Sequence, residues 1–222
     1  SNLVGKAVEL VRKAKSPVCL LGSQSTLPPT STKDVVEALE VNRQRLSSFG
    51  SIDVVLVLVN EYSMFSGGMS RGLLGRNSPI QFRHCRKDAL KEADVVLLLG
   101  SFLFYEINFH TNSIFVNLTG AVCDFRLGYG KVLSRKSKII IVNRNSFSLH
   151  QVNDEVVIVD DFRVLYRLES DVFWKPTLAV KGDPGNFIVR LQKNLSNKNY
   201  QGPNNWIESL RTKDNVKEDA NQ

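Results

Sequence analysis

Histidines, serines and cysteines are the residues of this chain whose types could carry chemistry, and their spacing argues against it. The three histidines, His84, His110 and His150, are far apart in the sequence, so neither a metal site nor a catalytic triad is indicated. Ser23 lacks the G-x-S-x-G context of a nucleophilic serine. We therefore predict no catalytic residue and no metal ligand in this chain.

The cysteines lead to a similar conclusion. Cys19, Cys85 and Cys123 are odd in number and widely spaced, with no CxxC pair, so neither a zinc site nor a disulfide framework is indicated. Cys19 lies inside an apolar run, where a small buried hydrophobic residue is expected rather than a reactive thiol. This cysteine usage favours a reducing compartment.

Composition and charge are those of a globular protein. The chain is 42% hydrophobic and 23% charged, with a formal net charge of +7. This charge permits contact with anions but does not establish nucleic-acid binding, and a solvated basic surface accounts for it. The longest apolar run, "VVLLLGSFLF", is too short to cross a bilayer. We expect a soluble intracellular segment without nucleic-acid or membrane contact, although a parent protein could carry a membrane anchor elsewhere.

Polar or small residues that follow apolar runs are the candidates for ligand binding. Gly22, Ser23 and Gln24 follow "PVCLL", and Gly100 follows "VVLLL". A glycine removes the Cβ where a ligand could approach, but it equally suits a tight turn from strand to helix. Asn143 follows "IIIV", where many nucleotide-binding sheets place an acid against a ribose, and its amide can still hydrogen-bond a hydroxyl. No GxGxxG follows a strand and no P-loop is present.

Helical and strand patterns alternate around these candidates. Apolar residues at helical spacing predict a helix over 3–14, and Ser31 or Thr32 can cap a helix over "KDVVEALE". Further helices are predicted at "RKDALKEA" and after "GDPGN". The strand runs are apolar without alternation, as in a parallel sheet that is buried on both faces. The order predicts an α/β layered fold, in which ligands bind beyond the carboxyl ends of the strands.

Several blocks in order resemble a known family. They are "SPVCLLGSQ", "GGMSRGLLGRNSPIQFR", "DALKEADVVLLLG", "AVCDFRLGYGKVLSRKSKIIIVNRN" and "DVFWKPTLAVKGDPGNF". Together they are similar to the central domain of thiamine-diphosphate-dependent enzymes, in the acetolactate synthase-like and 2-hydroxyacyl-CoA lyase group. The resemblance implies a three-layer, Rossmann-like parallel sheet of about six strands, of the nucleotide-binding type.

The resemblance also implies where cofactors would lie. Thiamine diphosphate and Mg²⁺ would be held by the other two domains of the parent enzyme, whose signatures do not occur here. ADP, CoA or FAD could occupy the central domain, near the loop Gly67-Gly68-Met69 and near Asp171, although a plain loop and a turn cap explain these residues equally well. The candidate cofactor-binding residues are Gly22, Ser23, Gln24, Gly68, Met69, Gly100, Asn143 and Asp171.

The resemblance sets the expected domain organisation. Residues 1–196 would be the central domain, and 197–222 a C-terminal linker with one short helix around Trp206. Segments near 41–63, 101–119 and 146–166 fit the family poorly. Because "IDVVLVLV" and "NDEVVIVD" have strand character, they could be extra strands or edge hairpins; the alternative is translated intervening sequence.

The expected function follows from the same resemblance. The chain would be a non-catalytic domain that braces flanking thiamine-binding domains in a lyase or transferase, and the parent would be a homo-oligomer. A stand-alone FAD-, NAD- or ADP-binding module is the alternative. A scaffold or incomplete gene product is the third interpretation.

Overall fold

A computed structural model describes residues 2–45, 55–57, 73–74, 78, 81–82, 84–100, 132–144, 176–198, 200 and 203–220. The helices in these ranges are α1 (Asn2–Arg12), α2 (Thr32–Arg45), α3 (Arg86–Glu92), α4 (Pro184–Asn197) and α5 (Asn204–Asp219), with a 3-10 helix at Ser23–Thr26. The strands are β1 (Pro17–Leu21), β2 (Val55–Val57), β3 (Gln81–Phe82), β4 (Val95–Leu99), β5 (Lys138–Asn143) and β6 (Leu178–Lys181).

All of these strands pair in parallel in one sheet, in the order β3-β2-β1-β4-β5-β6. The strand order runs one way from β1 to β3 and the other way from β4 to β6, so it reverses between β1 and β4. The predicted α/β class with a parallel sheet is confirmed.

The central strands are buried on both faces, which explains their unbroken apolar sequences. Successive side chains of a strand point to opposite faces. In β1, Cys19 and Leu21 join a core with α1, α2 and α4, which we call the α1-side core. Val18 and Leu20 join a core with α3 and α5, which we call the α3-side core. Helices on both faces of the sheet therefore form three layers.

The start of α2 agrees with its predicted cap, whereas α4 begins at Pro184, within "GDPGN" and not after it. The Ser31 side chain accepts a hydrogen bond from the Asp34 N–H at 3.1 Å, which is the predicted cap of α2. Asp183 caps α4, and Pro184 stands in its first turn, where a missing N–H costs nothing.

The C-terminal segment differs from the prediction. Residues 197–222 are predicted as a linker with one short helix, but α5 has 16 residues. Trp206, Ile207 and Leu210 of α5 are buried in the α3-side core. The many polar residues of the segment suggested a linker, but these three apolar residues lie on one face of α5 and dock it. None of the helices in the described ranges has the length and apolar content needed to span a bilayer.

One of the three poorly fitting segments contributes to the sheet. β2 lies within 41–63 and pairs with both β1 and β3. The strand character predicted for "IDVVLVLV" is therefore confirmed at Val55–Val57. The segments 101–119 and 146–166 lie outside the described residues.

Asp94 joins the loops at the amino edge of the sheet, in an arrangement that we call the amino-edge clasp. Its carboxylate accepts hydrogen bonds from the N–H groups of Lys15 at 2.7 Å and Ser16 at 3.0 Å. Its own N–H donates to the Ser16 carbonyl at 3.2 Å, and its carbonyl accepts from the Lys138 N–H at 2.8 Å. The clasp thus fixes the starting points of β1, β4 and β5 relative to one another.

We expect Asp94→Ala to lower the free energy of unfolding by about 1–3 kcal/mol, because two backbone N–H groups lose a charged acceptor. Urea unfolding followed by circular dichroism measures this loss. Asp219→Ala, at the exposed end of α5, is the matched control and should change stability by less than about 0.5 kcal/mol. Equal losses in the two variants would contradict a role for the clasp.

Candidate functional site at the carboxyl edge of the sheet

The carboxyl ends of β1, β4 and β5 bring most of the described candidate residues to one edge. Gly22 follows β1, Gly100 follows β4, and Asn143 ends β5. In open α/β sheets, ligands bind at this edge, at the point where the strand order reverses. That point lies here between β1 and β4, so the predicted glycines flank it.

The 3-10 helix of residues Ser23–Thr26 covers this point. The Gly22 N–H donates to the Leu99 carbonyl at 2.8 Å, and the Gln24 N–H donates to the Gly100 carbonyl at 3.2 Å. The Ser25 hydroxyl donates to the Leu99 carbonyl at 2.8 Å. Gln24 and Ser25 are buried. The chain itself therefore occupies the space directly above the ends of β1 and β4.

Gly100 is required by this arrangement. Its φ of +72° lies in the left-handed region that side chains rarely adopt. A Cβ at this position would lie 2.9 Å from the backbone nitrogen of Ser25. Gly22, in contrast, has ordinary extended backbone angles. Of the two interpretations that the sequence leaves open for Gly100, close packing of the turn accounts for the glycine.

A polar cluster lies beside the 3-10 helix, and we call it the Arg144–Asp183 cluster. The Arg144 side chain donates from Nη2 to the Leu27 carbonyl at 2.7 Å and to the Asp183 carboxylate at 2.5 Å. The Thr30 hydroxyl donates to the other carboxylate oxygen of Asp183. The Arg144 backbone N–H donates to the Gln24 side-chain oxygen at 3.2 Å. The cluster thus ties β5 to the 3-10 helix and to the start of α4.

The electrostatics of this cluster favour an ionised Asp183. Burial opposes the charged form, but hydrogen bonds from Thr30, Arg144 and the Asn186 N–H outweigh it and hold the pKa of Asp183 below its ordinary value. The Asp183 carboxylate also lies at the positive N-terminal end of α4, which stabilises a negative charge. The Arg144 Nε is buried and has no hydrogen-bond partner among the described residues. The Arg144 Nη2 donates to both Asp183 and the Leu27 carbonyl, and the Arg144 side chain is 31% exposed.

The structure brings five candidates together and leaves three undescribed. Gly22, Ser23, Gln24, Gly100 and Asn143 lie at one edge. Asn143 is fully buried, and its carbonyl accepts from the Gly182 N–H at 3.0 Å. Asn143 ends β5, in the half of the sheet opposite to β2. Gly68, Met69 and Asp171 lie outside the described residues.

The residues that hold this edge together, namely Thr30, Arg144 and Asp183, are not among the predicted site residues. Arg144 immediately follows Asn143, and Asp183 precedes a proline shortly before a predicted helix, so each carries a weak local signal. Nothing local indicates that the two side chains meet, because 39 positions separate them.

The described thiols are buried. Burial raises the pKa of the Cys19 thiol, which agrees with the predicted buried hydrophobic role. Burial, followed by the neighbouring Asp214 carboxylate, raises the pKa of Cys85 to about 12. Among the residues that the structure describes, no group of three or more His, Cys, Asp or Glu side chains could hold a metal ion.

Gly100→Ala should lower the free energy of unfolding by about 2–4 kcal/mol, because alanine is strained in the left-handed backbone conformation. Its Cβ would also lie too close to the backbone nitrogen of Ser25. Chemical unfolding gives the difference. Gly182→Ala is the control, since a Cβ there meets nothing within 4 Å. A Gly100→Ala protein as stable as this control would show that the 3-10 helix does not press on Gly100.

Asp183→Asn should destabilise the protein by about 1–2 kcal/mol at neutral pH, since it weakens charge-assisted hydrogen bonds. The pKa of Asp183 is lower in the folded state than in the unfolded state. The stabilisation that its carboxylate provides is therefore complete above the unfolded pKa, about 4, and is lost as pH falls through the folded pKa. The stability difference between wild type and variant should therefore narrow in acid, as measured by urea unfolding at several pH values. Arg144→Gln should be non-additive with Asp183→Asn; additive losses would argue against direct coupling.

Comparison with known proteins shows relatives along the whole chain. No protein-family model matches it. It is 44% identical over 219 residues to 2-hydroxyacyl-CoA lyase 2 of Danio rerio, covering 99% of this chain and 26% of that protein. The protein of the same name from Homo sapiens is 38% identical over 215 residues, covering 97% of this chain and 25% of the relative. The protein of the same name from Caenorhabditis elegans is 35% identical over 221 residues, covering 100% of this chain and 26% of the relative.

The chain thus spans about a quarter of the length of the curated relatives it matches. The matches cover nearly all of the chain, beyond the blocks that carry the resemblance in sequence. The predicted resemblance to the 2-hydroxyacyl-CoA lyase group is confirmed, and this chain is homologous, along nearly its entire length, to a segment of 2-hydroxyacyl-CoA lyase 2.

Proposed function

We propose that this chain is the central, non-catalytic domain of a thiamine-diphosphate-dependent enzyme of the 2-hydroxyacyl-CoA lyase type. The observation that carries the proposal is similarity over 97–100% of the chain to proteins with that name. The parent protein would cleave or form carbon–carbon bonds next to a thioester. This chain would supply one domain, and the remainder of the parent would supply the thiamine-handling domains.

The strand order supports a nucleotide-binding type of sheet. The order β3-β2-β1-β4-β5-β6 is the order of doubly wound Rossmann sheets, in which two βαβαβ halves meet at the first and fourth strands. A ligand of the central domain, such as ADP, CoA or FAD, would lie at the carboxyl edge. Because the 3-10 helix covers the ends of β1 and β4, that ligand would contact the outer face of this helix.

The described residues do not fit thiamine diphosphate with its Mg²⁺. They contain no group of carboxylates and histidines that could hold a metal ion, and the one described carboxylate of the Arg144–Asp183 cluster already accepts hydrogen bonds from three donors. When bound by the parent, thiamine diphosphate supplies an ylid that acts as an electron sink. We assign no chemical step to the residues of this chain.

The role of the domain is then mechanical. The amino-edge clasp fixes the starts of three strands, and the Arg144–Asp183 cluster joins β5, the 3-10 helix and α4 at the opposite edge. Such cross-links hold a sheet as a rigid unit against which neighbouring domains can pack. The partners would be the flanking domains of the same parent chain and, in a homo-oligomer, further copies of it.

The decisive experiment compares the full-length parent with the isolated 222-residue chain. Each protein is incubated with a 2-hydroxyacyl-CoA thioester, thiamine diphosphate and Mg²⁺, and cleavage is followed by chromatography. We expect turnover by the parent alone, and no rise in the thermal midpoint of the isolated chain with thiamine diphosphate. Turnover by the isolated chain, or an inactive parent, would refute the proposal.

Nucleotide binding is measured separately on the isolated chain. A ligand that binds only the folded state stabilises it by about 2.7 kcal/mol at a hundred times its dissociation constant. ADP, CoA, FAD and NAD are each tested by thermal unfolding. A shift with FAD or NAD, combined with an inactive parent, would favour the stand-alone binding module instead.

A further inference from the structure

The two halves of α5 are held to the domain by different forces. Trp206, Ile207 and Leu210 in the first half are buried in the α3-side core. The Trp206 side chain also donates from Nε1 to the Pro17 carbonyl at 3.3 Å. The only large apolar residue of the second half, residues 211–219, is Val216, which is 63% exposed. Apolar burial therefore anchors the first half and not the second.

Ion pairs with α3 hold the second half. The Lys213 ammonium lies 2.6 Å from the Glu92 carboxylate, and Lys217 pairs with Asp88. The side chains of these pairs are between 31% and 47% exposed. The hydrogen bond from Lys217 lowers the pKa of Asp88, with smaller contributions from the charges of Lys213 and Lys91. Exposed pairs of this kind weaken as salt concentration rises.

Asp214, between these lysines, binds the two residues that precede α3. Its carboxylate accepts hydrogen bonds from the N–H groups of His84 at 2.6 Å and Cys85 at 2.8 Å. Cys85 occupies the N-cap position of α3 and makes no side-chain capping bond itself. α3 has only seven residues, too few for a helix to be stable in isolation. The backbone just before α3 is therefore tied to the second half of α5.

The Cys85 thiol lies beneath this contact. Both Cys85 and Cys19 are buried, but Cys19 lies inside the sheet, in β1. Opening of the second half of α5 would uncover Cys85 but leave Cys19 enclosed. Local openings of this kind occur at lower free energy than global unfolding where few apolar contacts must be broken.

We propose that residues 211–219 of α5 form a salt-sensitive strap that opens and closes over the start of α3 while residues 204–210 stay anchored. The described charged groups at the contact include Asp88, Lys91, Glu92, Lys213, Asp214 and Lys217. Salt screens their attraction and leaves the apolar anchor in place, so ionic strength sets how often the strap is open. The strap is a conformational device within this domain and does not depend on the proposed enzymatic role.

Thiol alkylation of the full chain tests the strap. The protein is treated with iodoacetamide in a series of buffers whose NaCl concentration rises from about 0.1 M to about 1 M. Over this range the Debye length falls from about 10 Å to about 3 Å. Peptide mass spectrometry gives the rate at Cys85 and at Cys19 separately, each divided by the rate of an unfolded peptide with the same cysteine. We expect the Cys85 rate to rise severalfold with salt and the Cys19 rate to stay constant.

Variants of α5 identify the contact. Asp214→Ala should raise the Cys85 rate about fivefold at low salt, because two backbone N–H groups lose a charged acceptor. Lys217→Gln, a milder change, should raise it less and should reduce the response to salt. Glu208→Gln removes a carboxylate from the exposed, anchored half of the same helix and should leave both rates unchanged.

The alkylation rates at Cys85 and Cys19 either support or refute the strap. A Cys85 rate that rises while the Cys19 rate stays constant supports the strap. Equal rates at Cys85 and Cys19 under all conditions would mean that only global unfolding exposes Cys85, and the strap would be refuted. A Cys85 rate that is independent of salt in the wild type would refute it as well. If Asp214→Ala raises the Cys19 rate too, that variant is unfolding globally. The milder Lys217→Gln variant then decides: a raised Cys85 rate with an unchanged Cys19 rate supports the strap, and equal rates refute it.

Discussion

Burial of β1, β4 and β5 on both faces is the constraint on which the rest of the structure depends. Each of these strands sends alternate side chains into the α1-side core and the α3-side core. A parallel sheet of this kind cannot expose either face to water without losing much of its hydrophobic stabilisation. Helices must therefore cover both faces, and this is why α5 belongs to the folded domain even though most of its surface is polar.

Because the interior of the sheet is apolar, polar positioning is left to its edges. At the amino edge, the Asp94 carboxylate joins loops that lie 78 and 79 positions away in the sequence. At the carboxyl edge, the 3-10 helix and the Arg144–Asp183 cluster do the same work. The glycine at position 100 is part of this second arrangement, since the Ser25 backbone approaches too closely for a side chain. The same edge that could receive a ligand is thus first of all a set of internal cross-links.

This arrangement suits a bracing domain. A catalytic centre requires groups that remain available to a substrate, whereas the polar groups described at the carboxyl edge are largely engaged with one another. The similarity to about a quarter of the length of 2-hydroxyacyl-CoA lyase 2 is in line with the proposed role as one domain. The proposed strap at the α3–α5 contact would add a mobile element to an otherwise cross-linked unit.

The sequence by itself determined the α/β class, the positions of β1, β4 and β5, and the cap of α2, because each depends on neighbours a few residues away. It also placed Gly22, Gly100 and Asn143 at strand ends. Only the tertiary structure decided why Gly100 is a glycine, that Arg144 holds Asp183, and that Asp214 binds the N–H of Cys85, 129 positions earlier. β6 escaped notice because its strand is only partly buried, and the docking of α5 because its apolar residues are few. Contacts between distant positions leave no local periodicity, so they become visible only when the folded chain brings their partners together.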